Sequence, residues 1–150
     1  MGKMDCDRTL AGRLFDGSAR FIFKYGYKAM RVVWRYYKPR HNGVGVLIRH
    51  DDQVLAVRHS YRPGYTIPGG GMNRRENARQ TAVRELAEEL SITADPDHLI
   101  FKRHVYNTQV FELRLPERPE IRIDNREIVE ALFMSPEEAV RRSPSFRQFI

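Results

Sequence analysis

Hydrophobic and polar residues recur with two different periods along the chain, and each change of period marks an element. Over residues 18–37 the basic residues Arg20, Lys24, Lys28, Arg31 and Arg35, continued by Lys38, fall three or four apart on one stripe, which predicts a helix. The opposite faces carry Phe23, Tyr27, Met30 and Trp34. Lys38-Pro39-Arg40 ends this helix, because proline disfavours the helical region for the residue before it. GVGVLIRH over 43–50 and QVLAVRH over 53–59 are short branched apolar runs about Asp51-Asp52, the pattern of a β-hairpin. A loop with Pro63-Gly64 follows, and Tyr65-Thr66-Ile67 leads into Pro68 and the glycine triplet Gly69-Gly70-Gly71, read as a loop. Asn77 with Gln80 three residues on is a capping box for a second helix reaching to about Leu90. LIFKRHVY and TQVFELRLP read as a pair of strands and EIVEALFMS as another, and Ser135-Pro136-Glu137-Glu138 is the capped start of a C-terminal helix. Strands on both sides of a central helix predict an α/β fold, a mixed β-sheet covered by helices on two faces.

Composition narrows the class. At 150 residues, 41% hydrophobic and 30% charged, the chain is long enough for one core and too apolar to be disordered. No uncharged run approaches the roughly 18 residues of a membrane span, and the first fifteen residues contain no apolar stretch of a secretory signal, so a cytoplasmic protein is expected. Cys6 is the sole cysteine, which excludes an intrachain disulfide and a cysteine-based metal site. The net charge of +7 is localised: residues 1–40 hold ten Lys and Arg against three Asp, whereas the rest of the chain balances. The organisation is therefore a basic N-terminal segment, 1–40, ahead of a neutral domain, 41–150, and the charge alone is no argument for nucleic acid.

The chemistry concentrates in residues 70–92, GGMNRRENARQTAVRELAEELSI. On a helix Glu85, Glu88 and Glu89 share one sector, while Val83, Leu86 and Leu90 form another. Like charges three and four apart destabilise a helix by about 0.2–0.5 kcal/mol per pair, and the helix dipole disfavours them near its C-terminus. A divalent cation removes that cost; Mg²⁺ and Mn²⁺ are the hard ions that carboxylates bind. An isolated ExxEE is more often a solvated face. Here, however, it follows glycines that let backbone approach a phosphate or an ion closely.

These residues resemble the Nudix box, G-x5-E-x7-R-E-U-x-E-E-x-G-U with U aliphatic. Gly70, Glu76, Arg84, Glu85, Leu86, Glu88, Glu89 and Ile92 are all in register. TIPGGG resembles the strand and loop that precede the box in that family, and IDNREIVEALFMSPEE its closing strand and helix, so the resemblance covers about residues 42–142. Two positions depart from the pattern: Ser91 stands in place of the terminal glycine, and Arg75 where relatives commonly have glycine. A non-glycine residue in a left-handed helix cap costs on the order of 1 kcal/mol.

The resemblance implies a Nudix-like α/β/α sandwich and metal-dependent hydrolysis of a pyrophosphate bond, in a nucleoside diphosphate linked to another moiety, by water attack at phosphorus. ADP-ribose, a nucleotide sugar or a nucleoside triphosphate is the substrate class expected. It implies that Glu85, Glu88 and Glu89, with the carbonyl of Gly70 or Gly69, hold Mg²⁺ or Mn²⁺, and that Glu76 and Arg84 pair to steady the loop against the helix. Glu127, in the segment where relatives often supply a further carboxylate, is the choice for general base. Arg58, Tyr65, Gly70 and Gly71 are the expected substrate contacts. His59 and His104 have no partner spacing that suggests a metal site.

Two other readings stay open. A non-catalytic nucleotide sensor or RNA-binding module keeps the fold without turnover, although a full carboxylate set and the lack of an RNA-binding signature count against it. The basic helix over 18–38 is suited to docking on the domain, on a sister subunit in a homodimer, or on an anionic membrane surface. A small nucleotide is the expected partner, with no stable nucleic-acid partner.

Overall fold

The computed structural model describes residues 42–123 and 127–150. The expected basic helix, Cys6 and the Asp124-Asn125-Arg126 stretch before Glu127 lie outside the described residues. Within them the chain runs β1 (Gly43–His50), β2 (Gln53–His59), β3 (Gly69–Gly71), α1 (Ala78–Leu90), β4 (Ile100–Val105), β5 (Thr108–Arg114), β6 (Ile128–Met134) and α2 (Pro136–Arg142). Short 3-10 turns occupy Pro96–His98 and Pro144–Gln148.

The sheet order is β4-β5-β1-β2-β6, with β3 added on β1. β1 and β5 are parallel, from Gly43 opposite Thr108 to Arg49 opposite Arg114, and the other pairings are antiparallel, so the sheet is mixed as expected. Alternation along the strands sorts side chains between two layers. Val44, Val46, Ile48, Leu55, Val57, Phe111 and Leu113 face α1 and pack on its Leu86 and Leu90. Leu47, Val54, Ala56, Val110 and Met134 face the other way, onto Ala139 of α2 and Phe146 and Phe149 beyond it. Each such leucine or phenylalanine contributes about 1.5–3 kcal/mol by leaving water.

The hairpin between β1 and β2 is closed only near its turn, where Arg49 pairs with Val54 and His50 with Gln53. Farther from the turn, residues 66–71 are inserted between the two strands. Thr66 bridges to Val57 of β2, the Val46 amide donates to the Pro68 carbonyl at 2.9 Å, and Gly69, Gly70 and Gly71 pair with Gly45, Val44 and Gly43 of β1. The glycine triplet is thus a strand and not the loop read from sequence. Gly69 adopts φ +148°, and a Cβ there would lie 2.1 Å from the Val44 carbonyl oxygen, so only glycine permits this approach.

α1 begins as the sequence indicates. The Asn77 side chain accepts from the Gln80 amide at 2.9 Å, and the Gln80 side chain accepts from the Asn77 amide at 3.0 Å. It ends at Ser91, which takes the left-handed conformation, φ 58° and ψ 30°, usually given to glycine. Its amide donates to Ala87, the Ile92 amide reaches back to Leu86, and its hydroxyl donates to the Arg122 carbonyl at 3.2 Å. These bonds hold the cap despite the missing glycine and tie the end of α1 to the segment that leads towards Glu127.

Candidate active site

α1 lies with its acidic side against β3, and the glycines decide how close the two come. The Gly69 amide donates to Glu89 Oε2 at 3.0 Å. At Gly70 an added Cβ would meet Glu85 Oε1 at 2.3 Å, so the absent side chain leaves the room the Glu85 carboxylate occupies. Gly71 has open space at its Cβ position, and its carbonyl accepts from Arg84 at 3.2 Å.

The three helix carboxylates sit in different surroundings. Glu89 is buried, Glu85 nearly so, and Glu88 is 59% exposed. Burial pushes the Glu85 carboxyl up from its ordinary pKa; Arg84 pulls it down, and the charges of Glu88 and Glu127 push it up again. Arg84 is the hub of the group. It bonds Glu76 through Nε at 3.0 Å and reaches both Glu85 and Glu88 at 2.9 Å. Glu76 is held to about 2 by its bond from Arg84, with Asn73 and Thr81 adding donors. The pairing of Glu76 with Arg84 implied by the resemblance is present and fastens the loop after β3 to α1.

A cavity of about 380 Å³ opens where residues 66–71 part β1 from β2. Its walls include backbone of Gly43, Gly45 and Gly69–Gly71, with Thr66, Thr108, Phe149, His59, Tyr61 and Arg62. Two residues expected to contact substrate are placed elsewhere. Arg58 alternates to the opposite face of β2 from His59, where Glu130 accepts from Arg58 Nε and from the Tyr65 hydroxyl, each at 2.8 Å. Those bonds hold the Glu130 carboxyl below its usual range, and neither Arg58 nor Tyr65 is among the described residues lining the cavity. Arg62 lines it instead, three residues before Tyr65 in the YRPGY stretch.

Glu127, just before β6, accepts from the Tyr61 hydroxyl at 2.9 Å. Burial, reinforced by the Glu127 charge and bond, pushes the Tyr61 phenol far up, so it remains a donor. One donor atom each from Glu89, Glu127 and His59 lie within 4.8 Å of one another. Sequence spacing gave no hint of His59 in this company, because it is the fold of β2 that brings it beside α1. Burial, with a smaller effect of Arg62, lowers the His59 pKa to about 4, leaving a neutral ring at neutral pH. The donor set of carboxylate oxygens and one imidazole suits a divalent ion.

The NUDIX domain pattern matches residues 39–149. Solved structures share the fold. Dihydroneopterin triphosphate pyrophosphohydrolase of E. coli is 22% identical, with a TM-score of 0.59 over 71% of this chain and 89% of that one. An Ap4A hydrolase of C. elegans, in a binary complex, is 20% identical, with a TM-score of 0.53 over 69% and 86%. A bifunctional NMN adenylyltransferase/ADP ribose pyrophosphatase of Francisella tularensis, complexed with AMP and a Mn ion, is 21% identical, with a TM-score of 0.56 over 82% of this chain and 42% of that one. At these identities the likeness is one of fold, and no curated protein matches the chain in sequence. The family match spans most of the chain, which belongs to the NUDIX family and is a Nudix-type pyrophosphohydrolase.

Proposed function

We propose that this protein hydrolyses the pyrophosphate bond of a nucleoside diphosphate linked to another moiety, with Mg²⁺ or Mn²⁺ as cofactor. The observation that carries the reading is the position of Glu85 and Glu89 against a strand of bare backbone that forms one wall of a nucleotide-sized cavity, with Glu127 beside Glu89. Glu85, Glu88 and Glu89, with the Gly70 carbonyl, would hold the divalent ion, which when bound would supply positive charge to offset the diphosphate and to make water a better nucleophile. The protein's own groups do the rest. Tyr61 holds one oxygen of Glu127, whose carboxylate takes the proton of the attacking water. The water oxygen bonds to phosphorus as the bridging P–O bond breaks, and the leaving phosphate keeps the electron pair. Arg62 contributes a cation for phosphate oxygens, Phe149 an apolar surface for the nucleoside, and Arg84 with Glu76 keeps the carboxylates in place.

The test is phosphate or nucleotide release from ADP-ribose, nucleotide sugars, nucleoside triphosphates and dinucleoside polyphosphates, with Mg²⁺ or Mn²⁺, beside Glu88→Gln and Glu89→Gln proteins. Metal-dependent turnover of one substrate class that collapses in both variants supports the proposal. Folded protein that binds metal and turns over none of these substrates refutes it and favours a sensor.

A further inference from the structure

His59 is the last residue of β2 and only 6% exposed. Its Nδ1 is fully buried and, among the described residues, has no hydrogen-bond partner. A buried polar atom left unpaired is costly, and packing does not account for it. The ring stacks on Tyr61 at 5.0 Å between centroids, a contact that phenylalanine would make without stranding a nitrogen. The register of β2 with β6 shifts between Arg58 and His59, and this irregularity lies where β2 reaches Glu127. The Ser60 amide then donates to the Glu127 carbonyl at 2.8 Å, holding the two segments together. His59, Glu89 and Glu127 come from three separate elements, and their donor atoms lie within 4.8 Å. Ligands on opposite sides of an ion with bonds of about 2.1 Å stand about 4.2 Å apart, so small side-chain rotations close the set.

We propose that His59 is a nitrogen ligand of the catalytic divalent ion, joining Glu89 and one oxygen of Glu127 while the other Glu127 oxygen, bonded by Tyr61, keeps the role of base, and that it biases the site towards transition metals such as Mn²⁺ over Mg²⁺. This rests on the metal-dependent reading above and goes beyond it, since that reading needs oxygen donors alone. Imidazole nitrogen is a good ligand for transition ions, whereas Mg²⁺ prefers oxygen and water. The imidazole ligand therefore strengthens Mn²⁺ binding and leaves Mg²⁺ binding nearly unchanged.

The experiment is Mn²⁺ titration of the full chain followed by electron paramagnetic resonance, with pulsed measurements of nitrogen coupling to the bound ion, on wild type and His59→Gln. The expected result is nitrogen coupling in wild type, its loss in the variant, and Mn²⁺ binding weakened by about tenfold or more. Mg²⁺ affinity, read by competition, should change by less than about threefold. Bound Mn²⁺ without nitrogen coupling in wild type, or coupling that persists in folded His59→Gln, overturns the inference while leaving the proposed hydrolase intact. Wild type that binds no Mn²⁺ at millimolar concentration overturns both. Should the variant fail to fold by circular dichroism, ¹⁵N-histidine labelling of wild type decides: a ¹⁵N coupling supports the ligand, and its absence overturns it.

Discussion

Gly70→Ala separates the position of a carboxylate from the stability of the strand that carries it. The added methyl would start 2.3 Å from Glu85 Oε1 and 2.4 Å from its Cδ, whereas ordinary contact begins at 3.4 Å. The carboxylate must therefore retreat by about 1 Å, and a misplacement of that size costs about 100-fold in rate, near 2.7 kcal/mol of transition-state stabilisation. The fold should hardly notice. Gly70 is outside the positive-φ region, and what yields is the end of a flexible side chain, so stability should stay within about 1 kcal/mol of wild type. Gly69→Ala is the contrast: φ is +148°, and the methyl would meet the Val44 carbonyl at 2.1 Å, so about 3 kcal/mol or more of stability should go together with activity. The assay is kcat/KM on the best substrate, paired with thermal melting of both variants. Folded Gly70→Ala with kcat/KM within threefold of wild type would refute the argument that Glu85 must sit against β3. A melting loss as large as that of Gly69→Ala would refute the claim that the side chain, not the strand, gives way.

Three further outcomes follow from the geometry. Arg62→Ala should raise KM about tenfold or more with little change in kcat, while Arg58→Ala, which leaves Glu130 only its bond from Tyr65, should lower Tm and leave KM near wild type; the reverse pattern would return Arg58 to the substrate. Ser91→Gly relieves about 1–2 kcal/mol of left-handed strain, offset by greater chain entropy when unfolded and by the lost bond to Arg122, so Tm should rise by about 1–2 °C; a fall would mean that the hydroxyl bond dominates. The Glu76 pKa is depressed in the folded protein, so the stability it lends is present above the ordinary carboxylate value, 4.5, and is lost as pH falls through about 2. Urea midpoints of wild type and Glu76→Gln should thus differ at pH 7 and converge below pH 4.5; a gap that stays constant with pH would remove the Arg84 pairing as its cause.

Elements whose signals are local were readable in advance. The Asn77–Gln80 box, the Ser135 cap and the two apolar runs of β1 and β2 about Asp51-Asp52 depend on neighbours in sequence, and each stands where the pattern put it. The same holds for the side of α1 that carries Glu85 and Glu89, because helical spacing alone decides it. Three other features are products of chain crossings. The glycine triplet becomes a strand only because Gly43 and Gly45 of β1 lie opposite it. Arg58 and Tyr65 look available in sequence, but Glu130, from β6, claims both. His59 approaches Glu89 and Glu127 through two tertiary contacts that no spacing rule encodes. Strand alternation did contain one usable signal: His59 shares parity with Leu55 and Val57, on the face that α1 covers, whereas Arg58 does not.

The parallel pairing of β1 with β5 also dictates when the protein can assemble during its synthesis. Gly43 meets Thr108 across about 65 residues of intervening chain, so the central pair of the sheet closes late and at an entropic cost that local hairpins avoid. At about 5–20 residues per second, a ribosome needs several seconds to deliver β5 after β1 has emerged, and Glu127 comes later still. During that interval β2, β3 and α1 are available to cover β1, but the edge that β5 will take stays unpaired. Chaperone dependence in the cell should therefore track the delay before β5 appears, and slow codons placed between β3 and β5 should lower soluble yield without altering the finished fold.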